Sequence, residues 1–127
     1  LAKTASGGEL SRFMLALKTL VSHKLELQTL IFDEIDNGVS GEIAFSIASK
    51  IKEISLNAQV LCVTHLPQVA AIADHHLKIS KKVSNNRTVT NIENLTYPER
   101  VDEIAMMISN GQITTASKNL AIELLNQ

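Results

Sequence analysis

Apolar residues at Leu10, Phe13, Met14, Leu17, Leu20 and Val21 recur three and four positions apart, the spacing that lays one stripe along a helix. The pattern predicts a helix from Leu10 to near Lys24. Thr29-Leu30-Ile31-Phe32 is instead a short continuous apolar run that stops at Asp33-Glu34. Such a run suits a strand buried on both faces, as in a parallel sheet. Ile43, Ile47, Ile51 and Ile54, with Ala44 and Ala48 beside them, return to helical spacing. Val60-Leu61-Cys62-Val63 is a second buried-strand candidate that ends at Thr64-His65. Strand, helix and strand in this order make a βαβ unit with a right-handed crossover.

Pro67 sits where a helix starts, and a short helix is expected over 67–73. Leu77 to Val83 and Thr88 to Leu95 alternate apolar with polar as half-exposed strands do. Asn85-Asn86 between them reads as a hairpin turn. Thr96-Tyr97-Pro98-Glu99 has capping-box spacing and opens a helix carrying Val101, Ile104, Ala105 and Ile108, which Asn110-Gly111 closes. A last helix, from about Thr114, carries Ala116, Leu120, Ala121, Leu124 and Leu125. The expected architecture is one α/β unit with a small hairpin and a helical tail.

Composition narrows the function classes. At 127 residues with 45% hydrophobic and 20% charged residues, the chain has the size and make-up of one folded domain. Its net charge of -1 leaves nucleic-acid contact to local clusters. Aromatics at 3% and no Trp argue against a base-stacking surface. The single cysteine, Cys62, excludes an internal disulfide or a Cys-rich zinc site and reads as a buried strand residue. No run reaches the roughly 20 apolar residues of a membrane span, and residues 1–10 lack a signal-peptide pattern. A soluble intracellular domain is expected. The chain opens at Leu1-Ala2-Lys3 without Met and meets a motif-dense stretch by residue 6, the pattern of a segment cut from a longer protein.

Three segments look chemical. Ser6-Gly7-Gly8-Glu9 has capping-box spacing, yet two glycines in a first helical turn each cost up to about 1 kcal/mol against Ala. Paired glycines also let backbone approach a ligand, and a helix N-terminus with free N–H groups receives phosphate. Leu30 to Glu34 places carboxylates just past a strand end, where α/β sheets bind ligands. Asp33 there could hold Mg²⁺, mostly through water, and Glu34 could position or deprotonate an attacking water. A solvated acidic loop is the plain competitor. Thr64-His65 occupies the equivalent place one βαβ unit later. His65 is either a structural residue or a group facing the same crevice.

The order of glycine-rich helix start, strand with Asp-Glu and strand with His resembles the second half of an ABC-type ATPase head. Ser6-Gly7-Gly8-Glu9 is similar to the signature motif, Leu30 to Glu34 to Walker B with its glutamate, and His65 to the switch histidine. Ala5 to Arg12, Ile31 to Asp36, Gly38-Val39-Ser40-Gly41 and Val63 to Ala70 resemble the SMC-like branch that acts in bacterial DNA repair. The resemblance implies that ATP is sandwiched between two heads. Ser6, Gly7, Gly8 and Glu9 would reach the γ-phosphate of ATP on the opposite protomer. Asp33 would support Mg²⁺, Glu34 would polarise water as the catalytic residue, and His65 would sense the γ-phosphate. Asn37, Gly38, Val39, Ser40 and Gly41 would form the D-loop across the dimer interface. That loop usually ends in Leu-Asp across the superfamily, whereas Ser40-Gly41 stands here as in the DNA-repair branch.

Nothing in the sequence reads as G-x-x-x-x-G-K followed by Ser or Thr, so no phosphate-cradling Walker A loop is present, and no heptad run marks a coiled coil. The resemblance therefore implies the C-terminal portion of a head across 1–127. Its expected partners are the N-terminal half of the same head, a second head and, for the full-length protein, DNA, with no membrane. The location implied is the cytoplasm, on the nucleoid. A metal-dependent phosphohydrolase using Asp33, Glu34, Asp36 and His65 is the rival enzyme class. His75-His76 could suggest metal, but adjacent strand residues point to opposite faces. Lys78, Lys81, Lys82 and Arg87 stand in a stretch from His75 to Ile92 without an acid; they are either DNA-phosphate contacts or a solvated hairpin.

Overall fold

A computed structural model describes residue 16 and residues 28–33, 39, 41–84 and 87–127. The helix expected over 10–24 lies outside the described residues except for Ala16, which is helical. The chain divides into two compact units, Leu1–Ile72 and Ala73–Gln127.

The first unit holds β1 (Thr29–Asp33), α1 (Glu42–Ser55), β2 (Gln59–Val63) and α2 (Pro67–Ala71). The strands pair in parallel, Thr29 with Gln59 through Asp33 with Val63, which is the expected βαβ unit. The core is Leu30, Phe32, Val39, Ala44, Ile47, Ala48, Ile51, Ile54 and Val69. Isoleucines spaced by three and four give α1 its apolar face, as the periodicity predicts. The continuous apolar runs are not buried on both sides. Leu30 and Phe32 are buried, whereas Ile31 is 61% exposed, and β2 alternates in the same way. Successive strand residues point to opposite faces, and the inward-facing residues pack with α1 while Ile31, Leu61 and Val63 form an apolar outer face. Cys62 is half-buried against that core rather than enclosed.

The second unit begins with β3 (Leu77–Ser84) and β4 (Arg87–Asn94), antiparallel with Leu77 opposite Asn94 and Ser84 opposite Arg87. The expected turn residues Asn85-Asn86 lie outside the described residues. α3 (Tyr97–Ile108) follows, with the capping box complete: the Thr96 side chain accepts from the backbone three residues on. In return the Thr96 backbone N–H donates to Glu99 Oε2 at 2.7 Å. Hydrogen bonding from Thr96 holds the Glu99 carboxyl below the usual carboxylate range. The helix closes through Asn110-Gly111 as expected, both with positive φ, 50° and 102°. The Gly111 N–H then reaches the Met106 carbonyl at 3.0 Å, the long bond of a Schellman closure.

α4 (Thr115–Leu125) is capped by Thr114 and Ser117 in a reciprocal pair. It buries Ser117, Ala121 and Leu124 against α3's Val101, Ile104 and Ala105. Ala116 and Leu120, expected on the inner stripe, are exposed. The buried Ser117 hydroxyl is satisfied at the cap: it accepts from the Thr114 N–H at 2.9 Å and donates to the Thr114 carbonyl at 3.0 Å. No described helix is long and apolar enough to cross a membrane.

Candidate functional site

Parallel pairing puts the C-terminal ends of β1 and β2 at the same edge of the first unit. Asp33 closes β1 level with Val63, so β1 ends at the edge where the chain leaves β2 into Thr64-His65. The Asp33 side is exposed, and among the described residues no ion pair or hydrogen bond holds its carboxylate. His65 is exposed as well. It stands on a linker whose bend is fixed locally. Thr64 Oγ1 accepts from the Leu66 N–H at 3.0 Å, and the Leu66 carbonyl accepts from Val69 and Ala70 at 3.1 and 3.0 Å. Pro67 then occupies the first turn of α2. The Thr64 hydroxyl turn is the device that the sequence reading missed; Thr two residues before a Leu-Pro helix start was its available signal.

Of the stretch 37–41, Val39 and Gly41 are described. Val39 is buried in the first unit's core. Gly41 caps α1 with φ 58° and ψ -131°, and its carbonyl accepts from the Ala44 N–H at 3.0 Å. A Cβ there would meet nothing within 4 Å. The constraint is therefore torsional: side-chain-bearing residues rarely adopt that conformation. The backbone torsions thus account for glycine at position 41. Ser6, Gly7, Gly8, Glu9, Glu34, Asp36, Asn37, Gly38 and Ser40 lie outside the described residues.

Two further expectations change. His75 and His76 precede β3 rather than lying within a strand; His75 is exposed and His76 half-buried. Burial first, then the Arg100 guanidinium, pushes the His76 imidazole below its ordinary pKa; Lys78 adds to this and Glu103 opposes it. Lys78 is not part of an open basic patch, because its ammonium is ion-paired with Glu103 of α3. Arg100 donates from Nη2 to the Ala73 carbonyl at 2.7 Å.

DNA repair protein RecN of Bacillus subtilis is 51% identical over 127 residues, all of this chain and 22% of that protein. RecN of Halalkalibacterium halodurans is 54% identical over 126 residues, covering 99% of this chain and 22% of its own. RecN of Rickettsia conorii is 49% identical over 124 residues, covering 98% and 23%. The chain belongs to the RecN family. It spans about a fifth of the length of these curated relatives, matching their C-terminal part.

A solved structure from work on ATP-driven dimerization and DNA-stimulated activation of SMC ATPases gives the same fold. The TM-score is 0.68 over 87% of this chain and 65% of that one, at 24% identity. No family model matches. The fold is thus the distal half of an ABC-type head, with parallel strands, flanking helices, a hairpin and a helical tail. RecN kinship gives no support to the phosphohydrolase alternative. Among the described residues, no three of His, Cys, Asp and Glu gather as a metal centre would require.

Proposed function

We propose that this RecN-family chain is the distal part of an SMC-like ABC ATPase head whose ATP-dependent dimerisation drives DNA double-strand break repair and recombination, in the cytoplasm on the nucleoid. The observation that carries the site is the in-register parallel pairing of β1 and β2. It brings Asp33 and Thr64-His65 to one sheet edge in a chain that aligns with RecN throughout. An exposed carboxylate with no ion-pair or hydrogen-bond partner among the described residues suits a cation that keeps most of its water, and Asp33 is the residue that would hold Mg²⁺. When bound, Mg²⁺ supplies positive charge against the phosphate oxygens.

Within this reading Glu34 orients and polarises the attacking water, and His65 contacts the γ-phosphate from the neighbouring strand end. The Thr64 turn and Pro67 restrict the backbone on which His65 sits, which lowers the cost of aiming it. Ser6, Gly7, Gly8 and Glu9 serve nucleotide held by a second head, and residues 37–41 cross between the heads. The remaining part of the same head supplies the phosphate-cradling loop.

Glu34→Gln in the full-length protein tests the assignment. ATP binding should be preserved while steady-state hydrolysis falls at least about tenfold, within the range for loss of a positioned base. Turnover within twofold of wild type would remove Glu34 from this role.

A further inference from the structure

The β3–β4 hairpin carries its charge at one end. Lys78, at the end farther from the turn, is neutralised by Glu103, and Glu93 opposite it accepts from Asn91 Nδ2 at 2.6 Å. Toward the turn, Lys81, Lys82 and Arg87 are all exposed, and no ion pair among the described residues holds them. The register puts Lys82 and Arg87 on one face, about 7 Å apart along the ribbon at 3.4 Å per residue, and Lys81 on the other. Val83, Thr88, Val89 and Thr90 between them are exposed too. Among the described residues, this end of the ribbon is thus exposed on both faces. No Asp or Glu occurs from His75 to Ile92.

We infer that the turn-proximal half of this hairpin is a docking surface for the phosphate backbone of duplex DNA, with Lys81, Lys82 and Arg87 as its charge contacts. The inference rests on the DNA-directed reading above and adds the surface that would meet the DNA. A two-stranded ribbon is narrow enough to enter a major groove of about 12 Å. Cations on both of its faces can then meet the phosphates on either wall. The Thr88 and Thr90 hydroxyls add donors of the kind that position a protein on phosphate without reading sequence. No aromatic residue occurs between Leu77 and Asn94, so the ribbon has no stacking platform for single strands. The apolar side chains at this end, Val83 and Val89, are short and lack the aromatic anchors typical of protein-binding hot spots.

Each neutralised phosphate contributes about -0.9 to the slope of log K against log salt concentration. Three contacts thus account for a slope of about -2.7, or roughly 40-fold in affinity between 50 and 200 mM salt. The test is fluorescence anisotropy of the full-length protein with a 30-base-pair duplex, with and without ATP, across that salt range. In K81Q/K82Q/R87Q the slope should shrink by about 2–3 units with DNA-free ATP turnover unchanged. The charge-conserving K81R/K82R/R87K should keep the wild-type slope and confirm that charge, not hairpin folding, is read. A wild-type slope in the glutamine variant overturns the inference while leaving the DNA-directed function standing. Wild-type protein that binds no duplex under either condition refutes both, and capture of polyglutamate in place of duplex assigns the ribbon to an acidic protein partner instead.

Discussion

Neighbouring residues on β1 should respond very differently to truncation. Phe32 is fully buried in the first unit's core, while Ile31 beside it is 61% exposed. Phe32→Ala removes a ring from the buried cluster that also holds Ala44, Ile47 and Ala48, and packed surroundings relax only partly into such a void. Such changes cost about 3–5 kcal/mol. Full burial of an Ile side chain is worth about 1.5–3 kcal/mol. With 61% of Ile31 still in water, Ile31→Ala should cost no more than about 1 kcal/mol. For a urea m-value of about 2 kcal/mol/M, the midpoint shifts are roughly 1.5–2.5 M and at most about 0.5 M. Because the chain has two compact units, two-state behaviour should not be assumed for the whole. Hydrogen exchange of α1 amides reads the first unit, and fluorescence of Tyr97, the single tyrosine, reads the second. Both variants should leave the Tyr97 transition in place. Equal losses at Ile31 and Phe32 would refute the one-sided burial of β1.

Replacing Gly8 with a bulky residue in the full-length protein should spare ATP binding to isolated heads yet abolish ATP-dependent dimerisation by size exclusion; lost affinity in monomeric heads would contradict a role in trans. The 127-residue chain alone should show no micromolar Mg-ATP binding by calorimetry. A helix terminus gives an exposed anion only about 0.3–1 kcal/mol, against roughly 8 kcal/mol needed for micromolar affinity. Micromolar binding, or turnover abolished by Glu34→Gln in that chain, would reveal a self-sufficient site. His76 gives a pH dependence. Its folded pKa lies below the ordinary imidazole value, so the unfolded chain binds more protons between the two values and stability rises with pH there. The second unit should lose melting temperature as pH falls below about 6.5, and His76→Gln should flatten that loss. Identical pH profiles for the two proteins would refute it.

Most elements were legible in the sequence because their signals are local. Ile43, Ile47, Ile51 and Ile54 mark the inner face of α1 whatever else the chain does. Thr96 and Glu99 close a capping box through a contact three residues long. The motif order from Ser6 to His65 pointed to the RecN-type head, since those residue types at those separations are a long and specific string. What the sequence could not contain is which partner each face meets. The apolar runs of β1 and β2 read as buried on both sides, but burial depends on where α1 lies, and only one face meets it. Lys78 looked like part of an open patch until the fold brought Glu103, 25 residues away, onto its ammonium. Gly41 looked like a loop glycine until its torsions were known. Asp33 and His65 are 32 positions apart in the numbering, and only strand register puts them at one edge. Periodicity and capping act within a helical turn or two and are written along the chain. Ion pairs, strand register and the covered face of a sheet join distant segments, and are decided only when the tertiary structure closes.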